Sequence, residues 1–198
     1  MNQSRPLGVF GGAFDPPHIG HRVVALDVCE RLELDRLIVA PTAQPPHRET
    51  VFPPEVRLAL ARRAFADDDR IEVSDVEFKS DQVSYTVDTL GLIRQATGAT
   101  KVWLVMGSDQ YAVFETWHQP ERILELAQLA VMRRGDDDVH PDPRFPFVPV
   151  DVTRIDVSGE RIRQRLMAGQ SIRYLVPDSI RAEIESEAEH LMGHRRVC

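Results

Sequence analysis

Short apolar runs alternate with helix-like segments along most of this 198-residue chain. The apolar runs are short enough to be strands, and the segments between them have the spacing of apolar residues that an amphipathic helix requires. This alternation predicts a parallel sheet that is covered by helices on both faces. With right-handed crossovers the fold class is α/β, a Rossmann-like doubly wound parallel sheet with a helical C-terminal part.

The boundaries of these elements follow from where each pattern starts and stops. Predicted strands are 7–10, 36–40, 71–76, 102–106 and 129–132. Predicted helices are 19–32, 55–65, 86–96, 120–127, 158–168 and 177–191. The segment 135–149 has five prolines or glycines and is predicted to be a loop. Its run Asp136-Asp137-Asp138 indicates a solvated surface, because it lacks the spaced ligands and the glycine of a calcium loop.

Length and composition predict one domain, residues 1–198, in which the helical C-terminal part begins at about residue 156. No apolar run approaches membrane-spanning length, so we expect no membrane partner. Cys29 and Cys198 are the only cysteines, which indicates neither a disulfide framework nor a zinc site. Without a signal-peptide pattern, the expected location is the cytoplasm.

The net charge of −7 argues against a broad nucleic-acid-binding face, which would have to be basic. A negative net charge of the whole chain is still compatible with a local positive site, provided that the excess of acidic residues lies on the outer surface. We therefore expect no nucleic-acid partner. The oligomeric state is left open by the sequence, and a homo-oligomer remains one alternative.

The segment between the first predicted strand and the first predicted helix reads Gly11-Gly12-Ala13-Phe14-Asp15-Pro16-Pro17-His18-Ile19-Gly20-His21. Glycines let the backbone approach an anion, and a helix N-terminus offers unpaired N–H groups with a partial positive charge. His18 and His21 are three residues apart, so both can face one phosphate chain. This pattern predicts a phosphate cradle; a purely structural strand-to-helix turn is the alternative. Neither the dinucleotide-binding pattern nor the Walker pattern is present.

The cradle resembles the signature of the HxGH adenylyltransferases, which are related in fold to the class I aminoacyl-tRNA synthetases. Further stretches in the same order narrow the resemblance to the bacterial nicotinate-nucleotide adenylyltransferases of NAD synthesis. These stretches are Pro45-Pro46-His47-Arg48, Ser84-Tyr85-Thr86-Val87-Asp88-Thr89-Leu90, Met106-Gly107-Ser108-Asp109 with Thr116-Trp117-His118, Asp156-Val157-Ser158-Gly159-Glu160-Arg161-Ile162-Arg163, and Ile172-Arg173-Tyr174-Leu175-Val176-Pro177.

The fourth of these stretches departs from the family pattern Ile-Ser-Ser-Thr-x-Ile-Arg. Gly159 and Glu160 stand where the family has its second Ser and its Thr, so two hydroxyl groups are lost. Ser158, Ile162 and Arg163 remain. Because an acid in the first turn of a helix favours the helix dipole, we expect Glu160 to face solvent.

The resemblance implies transfer of the adenylyl group of ATP to nicotinate mononucleotide, forming deamido-NAD and pyrophosphate. It implies Mg²⁺ bound mainly through the ATP phosphates, and no metal site made of protein ligands. The implied catalytic residues are His18, His21 and Arg163. The implied ATP-binding residues are Gly11, Gly12, Ala13, Phe14, His18, His21, Ser158, Ile162 and Arg163. The implied mononucleotide-binding residues are Arg48, Tyr85, Thr86, Gly107, Asp109 and Trp117.

Several of these residues have a purely structural alternative. Trp117 is predicted either to stack on the pyridine ring or to fill the core. Thr86 and Asp109 are each predicted either to touch the ligand or to cap the helix that follows. Arg48 either reaches a phosphate or belongs to a solvated loop.

Three rival functions are weighed against the adenylyltransferase. A phosphopantetheine adenylyltransferase would typically have Thr at the position of His18. An enzyme that prefers the amide mononucleotide differs by one charge in one pocket, so the sequence leaves that preference open. A non-catalytic nucleotide sensor on the same scaffold would be expected to lose His21 or Arg163, and both are present.

Overall fold

The computed structural model describes residues 6–45, 49–79, 83–133 and 140–195, with side chains as far as residue 190. The strands within these ranges are β1 (Leu7–Gly12), β2 (Arg36–Pro41), β3 (Ile71–Val73), β4 (Val102–Gly107), β5 (Gln128–Arg133) and β6 (Phe147–Asp151). The α-helices are α1 (Ile19–Arg31), α2 (Pro54–Ala64), α3 (Thr86–Thr97), α4 (Ser108–Tyr111), α5 (Pro120–Leu126), α6 (Gly159–Met167) and α7 (Asp178–Arg195). Short 3-10 helices lie at Val76–Lys79 and Phe114–Thr116.

The strands form one parallel sheet in the order β3-β2-β1-β4-β5-β6. This is the strand order of a Rossmann-like fold, so the predicted fold class is confirmed. The order reverses between β1 and β4, whose carboxyl ends are Gly12 and Gly107. In such sheets ligands bind in the crevice beyond the carboxyl ends at this reversal point.

Alternating residues of each strand bury opposite faces of the sheet, as the two-residue period of a strand requires. Leu37 and Val39 pack in the layer that holds α1, α2, α6 and α7. Ile38 and Ala40 pack in the opposite layer, which contains α3 and α5. Because strands in such a sheet are buried on both faces, they read as continuous apolar runs rather than as an alternating pattern.

Helix ends follow local chemistry. Pro54 and Pro120 begin α2 and α5, at positions where the missing N–H costs no helical hydrogen bond. Helix α3 ends at Thr97 and is followed by Gly98, which has φ of 67°, a left-handed conformation that glycine adopts without steric strain. Among the helices that the structure describes, none combines the length and the apolar character needed to cross a membrane.

Two predictions of elements are wrong, and most other boundaries agree within one or two residues. The strand predicted at 71–76 ends at Val73, and Val76 starts a 3-10 helix instead. The loop predicted at 135–149 contains the start of β6. Pro149 obscured that strand, but β6 lies at the edge of the sheet, where a residue without an N–H is tolerated. Asp136-Asp137-Asp138 lies outside the described residues.

Candidate active site

The predicted cradle lies where β1 passes into α1, at the point where the strand order reverses. Gly11 and Gly12 are the last residues of β1, and His18 is the N-cap of α1. The sharp change of direction between them is made at Phe14, which has φ of 48°. Gly11 is exposed, Gly12 and Ala13 are half-buried, and the space above the Gly11 Cα is open.

His18 and His21 lie face to face at the start of α1. Their ring centroids are 3.7 Å apart and the planes differ by 24°. The His18 backbone N–H donates to Nδ1 of His21 over 3.2 Å. Because Nδ1 accepts this bond, the proton of a neutral His21 ring lies on Nε2. His18 is buried and His21 is half-buried.

The ring of Phe14 forms the floor under these histidines. It is only 2% exposed, and its centroid is 4.8 Å from that of His21. It also meets Phe10 and Phe65 edge to face. Because the residue as a whole is this buried, Phe14 belongs to the core beneath the cradle.

Arg163 reaches the cradle from α6. Its guanidinium donates to the Asp15 carbonyl oxygen, and Nη1 lies 3.2 Å from the Asp15 carboxylate. That carboxylate also accepts the backbone N–H groups of Val51 and Phe52, over 3.0 and 2.9 Å. The Asp15 side chain is 1% exposed and that of Arg163 is 16% exposed. The fold thus brings Arg163 to the same loop as the two histidines.

The first turn of α6 packs directly on the cradle. Ser158 is the N-cap of α6, and its hydroxyl accepts the N–H of Arg161 over 3.2 Å. A Cβ placed on Gly159 would lie 2.6 Å from the Asp15 carbonyl oxygen. The Glu160 side chain is exposed, as expected, and accepts a hydrogen bond from Gln164. Ile162 is fully buried in the core, so its side chain holds α6 in place.

The described residues that are predicted to bind the mononucleotide lie at the carboxyl end of β4 and in the segments that follow β3 and β4. Tyr85 and Thr86 begin α3, where Tyr85 is the N-cap, so the prediction that Thr86 caps this helix is wrong. The Tyr85 ring lies 4.3 Å from that of His118. Trp117 is half-buried and packs on Phe114, with ring centroids 5.4 Å apart. It therefore belongs partly to the second core layer and keeps part of its surface accessible.

Gly107 and Asp109 flank the start of α4. Gly107 is its N-cap, and Asp109 is exposed in the first turn. The prediction that Asp109 caps this helix is therefore wrong, which leaves its side chain at the carboxyl end of β4. Arg48 and His47 lie outside the described residues.

Three charged residues around this site carry no prediction from sequence: Asp15 and Arg57, which are buried, and Glu77, which is half-buried. Asp15 stands inside the cradle motif, but its partners at Val51 and Phe52 are distant in sequence. Arg57 is fully buried in α2, with no motif to mark it. Glu77 follows β3, and burial raises the pKa of its carboxyl, against hydrogen bonds from Thr89 and Ala43 and the positive charge of Arg57. The only sequence signal for Glu77 was its partner Thr89, a member of the Tyr-Thr-x-x-Thr-Leu motif.

The donor set of the cradle suits an anion better than a cation. It offers two imidazoles and one guanidinium, whereas the N–H groups of Ile19 and His21 in the first turn of α1 already donate to the carbonyl oxygens of Leu175 and His18. Within the described ranges, no cluster of three or more His, Cys, Asp or Glu side chains could hold a metal ion. A divalent ion that is coordinated mainly by phosphate oxygens needs few protein ligands. The residues of the cradle are therefore compatible with an ion that is bound through a phosphate chain.

Comparison with known proteins agrees with the motifs. The family described as cytidylyltransferase-like matches residues 9–165. A Pseudomonas putida protein described as a probable nicotinate-nucleotide adenylyltransferase is 38% identical over 92% of this chain and 93% of its own length. A Thermus thermophilus protein of the same description is 38% identical over 90% of this chain and 96% of its own.

Solved structures agree on the fold. The nicotinic acid mononucleotide adenylyltransferase of Plasmodium falciparum complexed with NaAD superposes with a TM-score of 0.69 over 85% of this chain and 87% of its own, at 17% identity. The same enzyme complexed with APC gives a TM-score of 0.69 over 96% of both chains, at 14% identity. With the extent and identity of the sequence matches, this chain belongs to the nicotinate-nucleotide adenylyltransferases within the cytidylyltransferase-like family.

Proposed function

We propose that this chain transfers the adenylyl group of ATP to nicotinate mononucleotide, forming deamido-NAD and releasing pyrophosphate. The observation that carries the proposal is the convergence of His18, His21 and Arg163 on one loop at the reversal point of the sheet. Curated relatives that match nearly the whole chain are described by this same activity. We further propose that the chain is a single nucleotidyltransferase domain, with α6 and α7 as its helical C-terminal part.

This reaction makes modest demands on acid–base chemistry. The attacking group is a phosphate oxygen of the mononucleotide, which is already ionised at pH 7, so no general base has to remove a proton. The protein has to hold two anions in line and to stabilise the charge that develops on the α-phosphate and the pyrophosphate. Donors aimed at developing charge each lower a barrier by about 3 kcal/mol.

The cradle supplies donors of the right kind for this task. In our proposal Gly11, Gly12 and Ala13 let the triphosphate lie close to the backbone, and His18 and His21 face it. Neutral His21 can donate from Nε2, because its Nδ1 accepts the His18 N–H. Arg163, held by Asp15, supplies a fixed positive charge. Ser158 contributes main-chain or hydroxyl contacts at the start of α6, and Phe14 and Ile162 act from the core, where they hold the cradle and α6 in place.

The second substrate is proposed to bind beyond β3 and β4. Trp117 would stack on the pyridine ring, and the Tyr85–Thr86 turn would receive its carboxylate at the N-terminus of α3. Gly107 and Asp109 would lie near the ribose, and Arg48 would reach a phosphate. Mg²⁺ would be held mainly by phosphate oxygens and would offset part of the negative charge of the triphosphate.

The proposal is tested by incubating the purified protein and Mg²⁺ with ATP plus either the acid or the amide mononucleotide. Dinucleotide is identified by chromatography, and pyrophosphate release is measured in parallel. We expect both products from the acid mononucleotide, at a higher kcat/KM than from the amide. Binding of ATP without formation of any dinucleotide would refute the proposal and would indicate a nucleotide sensor.

A further inference from the structure

Ala43, which follows β2, is held through its C=O and its N–H by two charged side chains, the buried Arg57 and the half-buried Glu77. The carbonyl oxygen of Ala43 accepts a hydrogen bond from Nη2 of Arg57 over 3.0 Å. Its backbone N–H donates to the Glu77 carboxylate over 3.2 Å. Hydrogen bonds to ionised groups are roughly twice as strong as neutral ones, so this segment is fixed in two directions.

Arg57 connects Ala43 to the phosphate cradle. It is fully buried, and besides Ala43 it donates to the carbonyl oxygens of Ala13, Thr42 and Phe52, over 2.6, 2.7 and 3.1 Å. Ala13 is part of the cradle, and the Phe52 N–H binds the Asp15 carboxylate that holds Arg163. One guanidinium therefore fixes the loop after β1 against the loop after β2.

Glu77 connects Ala43 to α3. Its other carboxylate oxygen accepts the hydroxyl of Thr89 over 2.7 Å. Thr89 lies one turn into α3, and its hydroxyl is also 3.2 Å from the Tyr85 carbonyl oxygen. Tyr85 and Thr86 form the start of this helix, the part proposed to receive the pyridine carboxylate.

We propose that Arg57 and Glu77 are positioning residues, which fix the cradle for ATP and the helix for the mononucleotide at one separation by holding Ala43 between them. This inference rests on the proposed function. An in-line transfer depends on that separation, because a displacement of about 1 Å can lower the rate by about a hundredfold. Neither residue touches a reacting atom; both act through the loops that they hold.

The first variants address the link to α3. Thr89→Val keeps the shape of the side chain and removes the hydroxyl, and Glu77→Ala removes the acceptors for both Thr89 and Ala43. We expect kcat to fall and the KM for the mononucleotide to rise. Together these changes should lower kcat/KM by about tenfold. The KM for ATP should stay within about twofold of the wild-type value, because the link from Arg57 to Ala13 is intact.

Glu77→Gln provides the conservative comparison. Its amide oxygen can accept the Ala43 N–H, while its NH₂ donates to the Thr89 hydroxyl, which then donates to the Tyr85 carbonyl. This variant should therefore recover most of the activity that Glu77→Ala loses. Arg57→Lys tests the other side: one ammonium cannot reach four carbonyl groups, so kcat should fall even where the variant remains folded.

Glu72→Ala is the matched control, since Glu72 is an exposed glutamate on β3 that pairs with Arg36 at the surface. Steady-state kinetics for both substrates are measured well below the melting temperature of each variant. The inference is overturned if Thr89→Val and Glu77→Ala lose only thermal stability and keep wild-type kcat and KM values. If the wild-type protein itself forms no dinucleotide, the proposed function fails instead, so the two failures are distinct.

Discussion

Buried charge at the cradle is concentrated in Asp15, a residue outside the predicted set of substrate-binding side chains. Its carboxylate accepts two backbone N–H groups and meets Arg163, with 1% of its side chain exposed. A buried carboxylate is tolerated when its oxygens are all satisfied in this way, and removing its charge leaves the partner guanidinium uncompensated.

Asp15→Asn should therefore lower the free energy of unfolding by about 3 kcal/mol and also lower kcat, because Arg163 loses its anchor. Denaturant unfolding and turnover measure the two effects. Asp27→Asn is the control, since Asp27 accepts one exposed N–H from Thr153 and should cost about 1 kcal/mol at most. Equal losses in the two variants would show that the Asp15–Arg163 pair contributes nothing special.

Trp117 offers a second test at the residue scale. It is half-buried against Phe114, so truncation removes both core contacts and any stacking surface. If the indole stacks on the pyridine ring, Trp117→Ala should raise the KM for the mononucleotide by about tenfold or more, with a much smaller change for ATP. Steady-state titration of each substrate separates the two. An equal rise in both KM values would assign Trp117 to core packing alone.

Motif residues and scaffold residues differ in how far the sequence predicts them. His18, His21 and Arg163 carry the family signature, so they could be singled out from sequence. Arg57 and Glu77 could not, since their roles depend on carbonyl and N–H groups of Ala13 and Ala43, which any residue type would supply.

At the scale of elements, the first turn of α6 departs from the family in a way that the packing explains. Gly159 replaces a Ser, and a Cβ at this position would lie 2.6 Å from the Asp15 carbonyl oxygen and 3.3 Å from the Arg163 guanidinium. Because the Asp15 carbonyl oxygen is a backbone atom, it cannot move aside as the end of a flexible side chain would. The glycine allows α6 to approach the cradle more closely than the family residue would permit in this arrangement.

Gly159→Ser should therefore not restore function. We expect a loss of about 1–3 kcal/mol in stability and a lower kcat, because α6 has to move away from Asp15 and carries Arg163 with it. Gly91→Ser in α3 is the matched control, since no atom lies within 4 Å of a Cβ there. Higher turnover in Gly159→Ser than in the wild-type protein would contradict this view of the α6 contact.

The elements that sequence patterns missed have physical reasons. β3 is shorter than predicted because the chain turns into a 3-10 helix that places Glu77 under Ala43 and Thr89. β6 was hidden by prolines, although its edge position leaves Pro149 harmless. Such outcomes depend on neighbours in space, whereas the buried central strands β1, β2 and β4 are evident from their apolar runs alone.

For the whole molecule, the buried Glu77 carboxyl makes stability depend on pH with a predictable sign. Burial raises its pKa, so the folded protein keeps this proton at pH values where the unfolded chain has lost it. The free energy of unfolding therefore falls as pH rises through that interval. Three exposed or half-buried carboxyl groups change the stability in the opposite direction, because hydrogen bonds lower their pKa values. These groups are Asp68, Asp75 and Asp142, and the main donors to them are Arg70, Lys79 and Arg144, respectively.

Comparison of Glu77→Gln with the wild-type protein isolates the Glu77 contribution, since the other groups are common to both. The melting temperature of Glu77→Gln relative to wild type should increase as pH rises above about 4.5, the ordinary pKa of a glutamate carboxyl. Calorimetry at several pH values measures it. A difference that stays constant or decreases over this range would indicate that burial does not penalise the Glu77 charge.

The stacked imidazoles at the start of α1 are proposed to stabilise the negative charge that develops on the transferred phosphates. The most direct measurement is kcat for His18→Ala and His21→Ala. Thermal unfolding checks that each variant is folded, and His190→Ala, which replaces an exposed histidine, is the control. We predict a fall of about a hundredfold or more in each cradle variant, with the cooperative unfolding transition retained. Near-normal turnover in both folded variants would contradict the account.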